Sequence, residues 1–102
     1  MSASNDESDF SFASPPFKPE DALQTIKRAL RDMKLAERGN AFELRGKRVL
    51  EITAEADALR MRIARKLALT PEWDRITVRN ANEQRTFVDE VKKRLARWAQ
   101  ED

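Results

Sequence analysis

The sequence predicts a two-layer α+β sandwich, ordered α-β-β-β-β-α, with two helices packed on one face of a mainly antiparallel sheet. Three observations carry that prediction. Apolar residues recur at helical spacing near both ends of the chain, as Leu23, Ile26, Leu30 and Met33 and as Phe87, Val91, Leu95 and Trp98. Between them the period switches to two, most plainly in Leu59-Arg60-Met61-Arg62-Ile63, where apolar side chains and arginines alternate one for one. The chain has 102 residues and no cysteine, which allows one modest core without disulfide support.

Residues 1–18 contain every serine of the protein, the adjacent Pro15 and Pro16, and several acids. Such a composition buries too little surface to offset ordering, so it predicts a disordered acidic tail ahead of a single domain over residues 19–102. Phe10 and Phe12 are candidate docking residues in that tail, whereas Phe17 is placed to staple the following helix through Ala22 or Leu23.

Helix 1 is predicted from Pro19 to Arg38. Proline suits a first helical position, Glu20 and Asp21 complement the positive helix end, and Gly39-Asn40 supplies a left-handed stop. Phe42 and Leu44 then alternate with Glu43 and Arg45, and Leu50, Ile52 and Ala54 form a second inward set. A three-residue turn, Gly46-Lys47-Arg48, would pair Leu44 with Leu50 and Phe42 with Ile52, keeping apolar residues on one face. An even loop near Ala56-Asp57 sets Ile52 against Met61 and Glu51 against Arg62. Residues 55–69 also suit a helix, since Leu59, Ile63 and Leu67 share helical spacing. The strand is preferred because Met61 and the hairpin geometry require alternation.

Thr70-Pro71-Glu72-Trp73-Asp74 reads as a single capped turn or tight bend before a last strand with Ile76 and Val78 inward. Asn80-Ala81-Asn82-Glu83 is a capping-box pattern, and helix 2 follows to about Gln100. Trp98 reads as core rim, with a dimer contact as the alternative. The element order resembles that of the double-stranded-RNA-binding domain, α-β-β-β-α. The resemblance ends there, because helix 2 starts Asn80-Ala81-Asn82-Glu83-Gln84-Arg85 where that family carries a lysine cluster, and a fourth strand intervenes.

Composition narrows the function classes. Histidine, cysteine and tyrosine are absent and no serine lies beyond Ser14, so the commonest general base and the usual nucleophiles are missing from the predicted domain. The two glycines cannot build a glycine-rich phosphate loop. No cofactor and no metal site are expected. The N-terminus is polar and acidic and no apolar run is long enough for a bilayer, which predicts a soluble, cytoplasmic protein, monomeric or weakly dimeric.

Charge is asymmetric. In residues 1–20, Asp6, Glu7, Asp9 and Glu20 face only Lys18, a net of −3, so a chain of net +2 leaves +5 for the remainder. The predicted open sheet face displays Glu43, Arg45, Val49, Glu51, Thr53, Arg60, Arg62, Arg75, Thr77 and Arg79, with Lys47 and Arg48 at a hairpin tip. Arg45, Lys47, Arg48, Arg60, Arg62, Arg75 and Arg79 are therefore the candidate anion, nucleic-acid or partner surface. No aromatic residue is expected on that face. The reading is a non-enzymatic binding or adaptor domain whose partner is another protein. The alternative is a nucleic-acid-binding protein using the arginine face.

Deleting residues 1–18 is expected to leave the remaining chain folded, checked by circular dichroism and thermal unfolding; loss of the cooperative transition would place the domain boundary further upstream.

Overall fold

The computed structural model describes residues 16–100. Phe10 and Phe12 lie outside the described residues. The elements are α1 (Pro19–Asp32), β1 (Ala36–Arg38), β2 (Ala41–Leu44), β3 (Lys47–Ala54), β4 (Leu59–Ala64), β5 (Trp73–Val78) and α2 (Ala81–Trp98). The strands form one antiparallel meander, β1-β2-β3-β4-β5 in spatial as in chain order. The α+β sandwich expected from the sequence is present, with a fifth strand added at one edge.

That extra strand comes out of the predicted helix. Helix α1 stops six residues short of Arg38 because Lys34 turns left-handed at φ 73°. The Lys34 N–H then donates to the Arg31 carbonyl at 2.9 Å, and the Leu35 N–H to the Leu30 carbonyl at 3.2 Å. This is the Schellman pattern, and its hydrophobic clasp is Leu35 with Leu30, both buried in the core. A lysine costs about 1 kcal/mol more than glycine in that conformation, whereas burying Leu35 gains about 2 kcal/mol. Burial wins. Gly39, the expected stop, instead opens the β1–β2 turn at φ 62°.

The β2–β3 turn also departs from expectation. It has two residues, Arg45 and Gly46, both at positive φ (56° and 80°), the arrangement that matches strand twist in a tight hairpin. Leu44 therefore faces Lys47 and Glu43 faces Arg48, after which the register shifts so that Phe42 faces Leu50. Val49 is the extra residue of a β-bulge. The bulge does the parity correction assigned above to a three-residue loop, and Phe42 pairs with Leu50 rather than Ile52.

Strand β4 settles the rivalry over residues 55–69, since Leu59–Ala64 is a strand. Glu51 faces Arg62 and Ile52 faces Met61, the expected register. Phe42, Leu50, Ile52, Leu59, Met61 and Ile63 form the sheet side of one core; Ile26 and Leu30 of α1 and Phe87, Val91 and Trp98 of α2 form the other. Phe17 packs half-buried against this cluster, of which Ala22 is a member, as a staple should. Trp98 is 1 % exposed, so it is core rather than rim or interface.

Helix α2 starts on the predicted cap: Asn80 Oδ1 accepts the Glu83 N–H at 2.8 Å, while Glu83 Oε1 accepts from the Arg79 N–H at 2.7 Å. Arg94 ties the helix to the sheet. Its guanidinium reaches Asp74 (2.9 Å), Glu90 (2.8 Å) and the Ala64 carbonyl (3.0 Å) with only 12 % of the side chain exposed. Among the described residues no helix is long and apolar enough to cross a membrane.

Replacing Lys34 by glycine is expected to stabilise the protein by about 0.5–1 kcal/mol, read from denaturant unfolding midpoints; a loss of stability would mean that the left-handed cap is not what ends α1.

Candidate functional site

Both helices cover the same face of the sheet, so among the described residues the opposite face is formed by what the strands present. Alternation along β3, β4 and β5 sets Glu51 and Thr53, Arg60 and Arg62, and Trp73, Arg75 and Thr77 on that open face, in rows fixed by register: Glu51 beside Arg62 beside Arg75, and Thr53 beside Arg60 beside Thr77. These side chains, apart from Trp73, line a shallow depression.

The bulge decides which hairpin residue joins them. Because Val49 is the inserted residue and is buried, Arg48 takes the outward position opposite Glu43. Val49 was expected on the open face and Arg48 at the turn; the register shift exchanges them. Arg48 and Glu51, three apart in an unbroken strand, would lie on opposite faces. Here they form an ion pair at 3.1 Å.

Glu51 holds two arginines. Its second oxygen accepts from Arg62 Nε at 2.9 Å. Arg60 Nε donates to Glu55 at 2.6 Å, and Glu43 forms an ion pair with Arg38 at 3.5 Å. Such exposed pairs are worth about 0–1 kcal/mol each, so their effect is to fix geometry more than to add stability. The hydrogen bond from Arg62, followed by that from Arg48, holds the Glu51 carboxyl below its ordinary 4.5 despite partial desolvation. Arg75 is exposed and has no ion pair among the described residues. Four guanidinium groups, of Arg48, Arg60, Arg62 and Arg75, thus share Glu51 and Glu55.

An aromatic residue is present where none was expected. Trp73 is the first residue of β5 rather than part of a bend, opposite Ala64 and in phase with Arg75 and Thr77. The Arg62 guanidinium carbon sits 4.6 Å from the centre of its ring, a cation–π contact worth about 0.5–1 kcal/mol where exposed. The sequence did carry the signal, since Trp73, Arg75 and Thr77 keep period two; Pro71 and the capping pattern around Thr70 masked it.

Three candidate residues are placed elsewhere. Arg45 occupies the β2–β3 turn and has an interaction partner of its own. Lys47 pairs with Leu44 and shares its side of the sheet. Arg79 follows β5 and lines a separate groove where the N-terminal ends of both helices meet, with Phe17, Lys18, Asp21 and Glu83. Acids and bases balance there, and Asn80 and Glu83 are committed to capping, so the groove offers no convergent charge. Among the described residues no cluster of acidic side chains has the makings of a metal site.

The sign of the pH dependence follows from three lowered carboxyls: Glu51 by Arg62, Glu37 by Lys27 and Asp74 by Arg65. Each binds protons more weakly folded than unfolded. Their contribution is therefore complete above the ordinary range and lost as pH falls through the lowered folded values. Tm is expected to hold above roughly pH 5 and to drop on acidification. Glu51→Gln should lower Tm at neutral pH and flatten the acid limb, and an unchanged acid limb would show that Glu51 is not held by its arginines. Comparison with protein-family models, curated proteins and solved structures finds no match to this chain.

Proposed function

We propose that this protein is a non-enzymatic binding module whose recognition surface is the open face of the sheet and whose partner is anionic. One observation carries the reading: beyond the Glu43–Arg38 pair, a strip of four arginines, held at sheet spacing, stands against two carboxylates, with Arg75 unpaired among the described residues. Arginine forks match carboxylate and phosphate geometry, and a strip fixed by register and ion pairs loses little entropy on binding. The absence of histidine, cysteine and tyrosine supports binding over catalysis.

A nuclear magnetic resonance titration of the nitrogen-15-labelled protein with a heparin oligosaccharide, used as a polyanion probe, tests the location. Shifts are expected at Arg60, Arg62, Arg75 and Thr77 and at the Trp73 indole, and the combined variant Arg60→Glu, Arg62→Glu, Arg75→Glu should lose them. Shifts confined to Lys92 and Lys93 on α2 would move the binding surface to the helical layer and overturn the reading.

A further inference from the structure

We propose that the anionic partner is a single-stranded nucleic acid, with a base stacked on the Arg62 guanidinium and phosphates on Arg75 and Arg60; this rests on the open-face reading above. The decisive feature is the way Arg62 is held. Its Nε is anchored by Glu51 at 2.9 Å, its guanidinium carbon lies 4.6 Å from the centre of the Trp73 ring, and 42 % of the side chain stays exposed. The indole therefore packs against the guanidinium while a large part of the side chain stays open to solvent. Single-stranded bases stack on arginine planes as they do on aromatic rings, and every base has a face to offer.

The neighbours fit the rest of a nucleotide chain. Arg75 is the cross-strand partner of Arg62, exposed and without an ion pair among the described residues. Arg60 lies two residues along the same face, about 6.6 Å away at strand rise, which is the reach of one nucleotide in an extended strand. Thr53 and Thr77 add hydroxyls beside it.

Competing partners use less of this arrangement. An acidic peptide would engage the charges but has no use for an indole-backed plane. A duplex hides its base faces in the stack, and a flat sheet face has nothing to insert into a groove.

Fluorescence anisotropy tests the inference with labelled oligo(dT) and oligo(U) of about 12 nucleotides, a duplex of equal length and an oligoglutamate peptide, at about 50 and 200 mM salt. Single strands are expected to bind about 10-fold tighter than duplex or peptide, to quench Trp73 emission, and to weaken with salt. Arg75→Glu should weaken binding of single strands and peptide alike. Arg62→Lys keeps the charge and loses the plane. It should weaken oligonucleotide binding about 10-fold and peptide binding by less, with its fold checked by circular dichroism. Equal oligonucleotide affinity in Arg62→Lys and wild type would overturn the stacking inference. Peptide binding tighter than oligonucleotide binding would overturn it too, yet leave the open face as an anion-binding surface. If no probe bound at the lower salt, both readings would fall.

Discussion

The molecule depends on one constraint: its sheet must stay apolar on the side the helices cover and polar on the other. With five strands in a meander, every turn has to return the chain in phase, because a slip of one residue exchanges the two faces. Three connections manage this by turn length alone. The β2–β3 hairpin does not, since its two-residue turn leaves Leu44 opposite Lys47. The bulge at Val49 restores the phase, so Leu50 and Ile52 join Met61 and Ile63 in the core. The same inserted residue puts Arg48 on the side of Glu51. Core continuity and the charge pattern of the open face are two consequences of one irregularity.

The arginines divide by layer. On the helical side, Arg94 is nearly enclosed, braced within α2 by Glu90, and joins α2 to β4 and β5 through Ala64 and Asp74, with Arg65 reaching the other Asp74 oxygen at 2.7 Å. Lys27 and Arg31 hold Glu37 of β1 beneath α1 in the same way. These pairs join elements. On the open side the pairs lie within the sheet or at its β3–β4 turn and leave charge over. Glu51 serves two arginines and Glu55 one, while Arg75 sits in the same row as Arg62 and has no ion pair among the described residues.

Much of this was legible in the residues. Met61 between Arg60 and Arg62 fits a strand and spoils a helical stripe, and the loop at Ala56-Asp57 follows from requiring Ile52 to meet Met61. Asn80 and Glu83 marked the start of α2 because capping acts over four residues. The end of α1 was not legible in the same way. Lys34 has no intrinsic preference for a left-handed backbone; it adopts one because Leu35 can then pack on Leu30 beneath the sheet. The composition of the site was likewise readable, in Arg60, Arg62 and Arg75, but its aromatic member was not. Trp73 follows Thr70-Pro71-Glu72, which looks like a helical turn until β4 is there for it to pair with.

Taken alone, then, the residues determined what their local periodicity encodes: two amphipathic helices, alternating strands, a fold with helices on one side of an antiparallel sheet, and a chain lacking the usual catalytic side chains. Tertiary structure decided what depends on pairing across the chain: the fifth strand, the bulge that sets which of Arg48 and Val49 faces outward, and the placing of Trp73 under Arg62. The physical reason is the same in each case. Period and capping are settled over a few neighbouring residues, whereas register is settled by which side chains a partner strand and the helical layer can bury.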